Sequence, residues 1–324
     1  MSNKTAMLLG ATVVVVLATH AGQAGSDRHD PDRKFGSFSD WSPAVSVEDA
    51  FPFADDSLNS DAMEGCPAIS ADGLSLYMAS NRGGSLDIWV SQREQKHDPW
   101  GAPMNLGAPV NTGANEFCPT PLPDGRTLLF VSNKPAGCGG SDIYSTYKTG
   151  SDTWAQPVHL GCDINSAGDE ASPFLVTYDD RPGELYFSST RAGGFSDELP
   201  GATIGDSDIY VSEVHYGFLR RPQLVEGVNS ASDDSRPNVR SDGEEIFFDS
   251  NRPGSMGGAD IWTSARRHPR APWDTPTNVE MVNSTVNDTR AFLSRDATTL
   301  YLGSARTGGG DLYVATRAPH HGRH

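Results

Sequence analysis

Beyond its first 18 residues the chain carries no apolar stripe at the 3.6-residue period of an amphipathic helix. Its apolar positions fall instead in short runs: LSLYMA (74–79), TLLFV (127–131), ELYF (184–187), EIFF (245–248) and TLYL (299–302). Each is rich in aromatic and branched side chains and bounded by Gly, Asp, Ser or Asn, the pattern of a buried strand between tight turns. The pairs Asp72-Gly73, Asp124-Gly125 and Asp242-Gly243 precede three of these runs and supply the positive φ that a tight hairpin needs.

The runs belong to a repeat. SNRGGSLDIWVS (80–91) returns as SNKPAGCGGSDIYS (132–145), as STRAGG and SDIYVS around a long insert (189–212), as SNRPGSMGGADIWTS (250–264) and as SARTGGGDLYVA (304–315). Ahead of each copy stands a second motif that opens on an acid: EGCPAI from Glu64, EFCPTP from Glu116, EASPFL from Glu170, DSRPNV from Asp234 and DTRAFL from Asp288. A third element fills the gaps, as DPWGAPMNLGAPVN (98–111), DTWAQPVHLGCDIN (152–165), YGFLRRPQLVEGVN (216–229) and APWDTPTNVEMVN (271–283). One repeat therefore holds four strands, A after the acid, B through the apolar run, C from the DIW segment and D in the third element.

Four-stranded units recurring about every 50 residues predict an all-β fold, a β-propeller of five blades. The last copy stops at strand C, and DWSPAVSV (40–47) resembles a strand D, so the N-terminal strand is expected to close the ring. The predicted organisation is a signal peptide at 1–24, a linker at 25–38, the propeller at 39–316 and a disordered tail at 317–324. The repeats resemble the WD40-like β-propeller repeat of the TolB type, whose pattern P-x-x-S-x-D-G-x-x-L-Y-F-x-S-x-R-x-G-G-x-D-I-Y they follow over nearly all of residues 39–316. That resemblance implies fold rather than activity. The separate α/β domain and sixth blade of TolB have no counterpart in the sequence, so the partners of such relatives are not carried over.

Charge and the first residues narrow the setting. Lys4, an apolar run at 6–18 and small residues Gly22 and Ala24 read as a secretory signal. The run is shorter than the roughly 20 residues a membrane span needs, and the first cysteine, Cys66, is too late to carry an N-terminal lipid. The expectation is a secreted or periplasmic monomer without membrane insertion. With 42 acidic against 25 basic residues the net charge is −17, which argues against nucleic acid and anionic lipid as partners.

Candidate chemistry divides into what repeats and what does not. In each blade an acid, a base and a second acid should meet on one face: Glu64, Arg82 and Asp87; Glu116, Lys134 and Asp142; Glu170, Arg191 and Asp208; Asp234, Arg252 and Asp260; Asp288, Arg306 and Asp311. Five copies point to fasteners, with the guanidinium expected between two carboxylates. Departures from the repeat are better binding candidates. Two residues after each strand-A acid stand Cys66, Cys118, Ser172, Arg236 and Arg290, and the two arginines suit a carboxylate, phosphate or sugar acid, or simply balance the surrounding acids. The blade 3 insert brings Asp197, Glu198, Asp206 and Asp208 between glycines, a set that would suit calcium although it lacks D-x-D-x-D-G spacing.

The four cysteines are expected to pair as Cys66 with Cys118 and Cys138 with Cys162. No histidine spacing supports zinc, the tail histidines His320, His321 and His324 read as disordered surface over a weak nickel- or copper-like set, and no cofactor motif or serine-hydrolase elbow occurs. Three readings follow: a binding module for a protein, glycan or cell-wall ligand at the channel mouth; a glycoside hydrolase or lyase using Glu116 and Glu170; and a rigid spacer in which every carboxylate is paired and no pocket exists.

Overall fold

A computed structural model describes residues 38–51, 58–195 and 205–320. The signal peptide, all of the linker before Phe38, Asp197, Glu198, His321 and His324 lie outside the described residues. Five antiparallel sheets form a five-bladed propeller. Blade 1 consists of Glu64–Ile69, Ser75–Ser80, Asp87–Gln92 and Met104–Asn105, in that order from the axis outward. The other innermost strands are Glu116–Pro121, Glu170–Val176, Asp234–Val239 and Asp288–Leu293.

Strand B reads as an unbroken apolar run because blades stack face to face and bury both of its sides. Apolar clusters of described residues fill every gap between neighbours. Tyr77, Ile88, Phe130 and Tyr144 share the gap between blades 1 and 2, and Tyr186, Ile209, Phe248 and Trp262 that between blades 3 and 4. In blades 1, 2 and 4 the outermost strand has only two residues, which keeps unpaired sheet edges short. Blade 3 departs from the expected single strand D, since Asp208–His215 pairs with both Phe218–Leu219 and Gln223–Leu224.

Blade 5 is completed from the other end of the chain. Val45 lies opposite Val314 and Ser46 opposite Tyr313, so the expected closing strand is present, shorter than residues 40–47. Ser46 ends it by capping the single helical turn Val47–Ala50, its Oγ accepting the Glu48 amide. Arg317, assigned to a disordered tail from the sequence, is held in place. It donates to both Glu245 carboxylate oxygens at 2.7 and 2.6 Å, and Phe38 bridges to Pro319.

Two five-fold sets of bonds lock the ring. The backbone N–H of each strand-A acid donates to a carbonyl of the preceding blade: Glu116 to Leu86 at 2.7 Å, Glu170 to Ser141 at 2.8 Å, Asp234 to Ser207 at 2.7 Å and Asp288 to Ala259 at 2.9 Å. Glu64 to Gly310 at 2.7 Å closes the circle. The second set explains the asparagine that ends the third motif. Asn111, Asn165, Asn229 and Asn283 each accept the amide and donate to the carbonyl of one strand-C residue: Ile88, Ile143, Ile209 and Ile261. Asn59 does the same for Leu312, and so belongs to the blade closed by the N-terminal strand.

Asn229→Ala leaves the buried N–H and C=O of Ile209 without this partner. Each orphaned group costs about 1–3 kcal/mol, so urea denaturation is expected to show a loss of roughly 2–4 kcal/mol with an unchanged m value. A loss below about 0.5 kcal/mol, the ordinary scatter of surface substitutions, would remove the asparagine clamp from the account.

Candidate functional site

The site begins with a repeated irregularity. Every strand A slips register after its second residue, and the third adopts positive φ: Cys66 at 48°, Cys118 at 46°, Ser172 at 49°, Arg236 at 55° and Arg290 at 61°. Non-glycine residues pay roughly 1–2 kcal/mol for this region, and five bulges at one level turn five side chains toward the axis. Together they line a central cavity of about 30 Å³, room for about two water molecules.

The two halves of this ring differ. On one side Cys66 and Cys118 form a disulfide across neighbouring blades, with Cα atoms 4.8 Å apart. The second expected bridge, Cys138 with Cys162, is also present, with Cα atoms 5.6 Å apart. Cys138, Asp142 and His159 lie close enough to suggest a metal set, but the Cys138 sulfur is committed to its disulfide.

On the other side stands a charged cluster. Arg236 Nη1 donates to Asp249 Oδ2 at 2.9 Å, and the Arg290 amide donates to both Asp249 oxygens at 2.9 and 3.0 Å. Burial pushes the Asp249 carboxyl up, against the pull of Arg236. The Arg290 guanidinium is pushed down to about 10, first by the neighbouring charge of Arg236 and then by burial. Arg290 finds room beside Gly65, where a Cβ would stand 3.4 Å from its Cδ. The other blades carry Phe117, Ala171, Ser235 and Thr289 at the Gly65 position.

Asp249 was not among the sequence candidates. It is the next-to-last residue of strand B, where the other blades carry Ala79, Val131, Ser188 and Gly303. A lone acid in a column of small and apolar residues was the available signal. Arg236 and Asp249 also line a cleft of about 480 Å³ between blades 3, 4 and 5, whose walls include Asp169, Thr190, Asp233 and Asn251.

The repeated acids lie beneath this surface. Glu64, Glu116, Glu170, Asp234 and Asp288 are at most 1% exposed. Each accepts the amide and the hydroxyl of the residue four positions earlier: Ser60, Thr112, Ser166, Ser230 and Ser284. Arg82, Arg191, Arg252 and Arg306 pair with the strand-A acid of their own blade. Each of the four also donates to a connector carbonyl, Leu58, Ile164, Val228 and Val282 respectively.

The expected bridge between two carboxylates is not formed, for among the described residues no arginine pairs with a strand-C aspartate. Those acids hold the B-to-C loops or strand D. Asp87 accepts from Asn105, Asp142 from the Cys138 amide, Asp208 from the Phe195 amide, Asp260 from the Met256 amide and Asp311 from the Thr307 hydroxyl. Asp206, from the blade 3 insert, is buried.

Blade 2 lacks the arginine. Lys134 Nζ sits over the Tyr144 ring at 3.8 Å, and burial lowers its pKa. Glu116 is therefore the strand-A acid without an ion pair among the described residues, yet Thr112 and Ser132 occupy its carboxylate. Glu170 is equally enclosed by Ser166, Ser189 and Arg191. Neither offers an open oxygen to a substrate.

The backbone is similar to that of a thermostable family-43 glycoside hydrolase, with a TM-score of 0.57 and 13% identity over 82% of this chain and 91% of that one. It is also similar to an endo-arabinase from Bacteroides thetaiotaomicron, at 0.55 and 13% over 82% and 97%. An α-L-arabinofuranosidase from Podospora anserina in complex with cellotriose aligns at 0.54 and 12% over 87% and 97%. TolB from Acinetobacter baumannii aligns at 0.44 and 16% over 81% of this chain and 56% of that one, too low to carry an argument. At these identities the likeness is one of fold. No protein-family model and no curated protein matches the chain.

The two arginines differ in what they hold. Arg236→Met strips the side-chain cation from a carboxylate that is 1% exposed, and is expected to cost about 3 kcal/mol, the low end for breaking a buried pair. Arg290→Met relieves like-charge repulsion and keeps its amide on Asp249, so its change should stay within about 1 kcal/mol. Urea denaturation of both variants checks the difference, and equal losses would contradict it.

Proposed function

We propose that the protein is an exported β-propeller binding module that seats a protein, glycan or cell-wall ligand in the cleft between blades 3, 4 and 5. The observation that carries this reading is the cleft itself. Its volume of about 480 Å³ falls within the roughly 300–1,000 Å³ range of ligand pockets. It opens where the five-fold pattern breaks and has the Arg236–Asp249 pair in its wall. A rigid spacer has no use for such a hollow.

Export is supported by the two disulfides, which persist in oxidising compartments, and by the signal-like residues 1–24. The TolB-type repeat pattern is compatible with a periplasmic or secreted setting and supplies no partner.

Glycoside hydrolysis is the second reading, favoured by the carboxylates of Asp169, Asp233 and Asp249 in the cleft wall. Hydrolysis needs two carboxyl groups facing one bond, about 5–10 Å apart. Glu116 and Glu170 are enclosed, and both Asp249 oxygens accept hydrogen bonds from within the protein. Asp169 and Asp233 are exposed, each accepting one amide of the preceding blade, from Ser141 and Ser207. That set supports holding a ligand better than breaking one.

Incubation of the pure protein with a panel of polysaccharides, recording binding and reducing-sugar release together, tests both readings. Binding without release is expected, and Ala171→Phe should abolish it, because this variant gives blade 3 the side chain that blade 2 carries as Phe117. Sugar release that disappears in Asp249→Asn would replace binding with hydrolysis. Binding indifferent to Ala171→Phe would move the site out of the cleft.

A further inference from the structure

Resting on the reading of the cleft as a ligand site, we infer that its base recognises a carboxylate and that the ligand is an acidic saccharide of the uronic-acid class. The carboxylate would enter the central cavity, which Arg236 and Arg290 line and which meets the cleft at Arg236. The sugar hydroxyls would donate to Asp169 and Asp233.

The first argument is one of unspent donors. A guanidinium offers five N–H groups. The fastening arginines direct theirs to an acid, a connector carbonyl and, for Arg82, Arg191 and Arg252, a serine hydroxyl. Among the described residues Arg236 uses one side-chain donor, to Asp249, and Arg290 uses one, to Thr289 Oγ1 at 3.2 Å. The remaining donors belong to two side chains that line open space, and Arg236 lines both the central cavity and the cleft.

The second argument is charge. Two guanidiniums stand near one acid, which takes the side chain of Arg236 and only the backbone amide of Arg290, so the cluster is positive whether Asp249 is ionised or protonated. Four of the strand-A acids are already paired with an arginine of their own blade. Like charges held together at a half-buried site favour an anion, and a carboxylate matches the planar fork of arginine.

The third argument selects the rest of the ligand. Asp169 keeps Oδ2 without a partner among the described residues, and Asp233 Oδ2 is shared only with Asn251 at 3.3 Å. A simple anion would meet these carboxylates as like charges. A sugar acid meets them with hydroxyl donors and presents its carboxylate to the arginines alone. Thr190 and Asn251 extend the polar wall, and among the described residues no aromatic side chain lines the cleft.

Isothermal titration of the full protein at low salt with sodium glucuronate, glucose and glucose 6-phosphate tests the inference. Glucuronate is expected to bind roughly tenfold or more tightly than glucose, and Arg290→Gln to weaken it by roughly tenfold, the scale of one charge-assisted hydrogen bond. Asp249→Asn removes the competing acid while keeping an acceptor for the Arg290 amide, and should tighten glucuronate severalfold. That gain is a sign structural damage would not produce, so it keeps the test valid should Arg290→Gln fold poorly.

Equal binding of glucose and glucuronate, both lost in Ala171→Phe, would overturn the carboxylate inference and leave the cleft as a binding site. Preference for glucose 6-phosphate would overturn it in favour of a phosphate ligand. If none of the three binds while a panel glycan binds in an Ala171-dependent way, the inference alone falls. If no glycan of the panel binds, this inference falls with the glycan form of the binding reading.

Discussion

The structure depends on a carboxylate buried at the start of each innermost strand. Left alone in an apolar interior such a charge would cost several kcal/mol, so its position dictates what must surround it. A connector serine or threonine four residues earlier wraps it with an amide and a hydroxyl, fixing the path by which one blade passes to the next. An arginine from the end of strand B covers it in four blades and reaches a connector carbonyl. The amide of the same acid reaches back to the preceding blade. Strand, connector and neighbouring blade therefore converge on one residue.

Such a five-fold device satisfies itself and leaves nothing over for a ligand. Function has to come from positions where the copies differ, and the bulge is where they differ most. Its backbone is the same in every blade, but its side chains make a covalent bridge on one side and a charged cluster on the other. The disulfide ties blades 1 and 2. At blades 4 and 5 an aspartate under two arginines holds the bulges together through hydrogen bonds and leaves positive charge facing the cavity. Stability alone does not call for the second arginine, because the Arg290 amide rather than its guanidinium binds Asp249.

How much was legible in the sequence follows the same division. Blade number, strand order, ring closure and both disulfide pairings could be read because each rests on a pattern repeated in register. Of the two acids expected around Arg82 and its equivalents, the strand-A acid is the partner and, among the described residues, the strand-C aspartate is not, a choice the chain hides because it shows which residues recur without showing distance. Acids at both ends of the motif looked equally available, and only the fold shows Asp87 turned to Asn105 while Glu64 meets the arginine. The asparagine clamp was visible as a recurring residue without a role. Its fifth copy, Asn59, was hidden because a helical turn separates it from Val45–Ser46. Asp249 escaped because one aspartate in one strand repeats nothing, and its meaning depends on Arg236 and Arg290, 13 and 41 residues away in sequence.

The likeness to glycoside hydrolases sharpens what the fold does and does not decide. A propeller brings the starts of its innermost strands to one place, so acids at those starts are gathered whether or not chemistry is done there. In this chain the gathered acids are spent on architecture, each closed off by hydroxyl, amide or arginine partners before a substrate could reach it. Among the described residues the cleft keeps Asp169 and Asp233 in its wall, with the Arg236–Asp249 pair beside them. Catalysis on a glycosidic bond asks for a carboxyl free to give up its proton and another free to receive one. Among the described residues Asp249, the deepest carboxylate of the cleft, has both oxygens occupied by the Arg236 side chain and the Arg290 amide, so it is free for neither task.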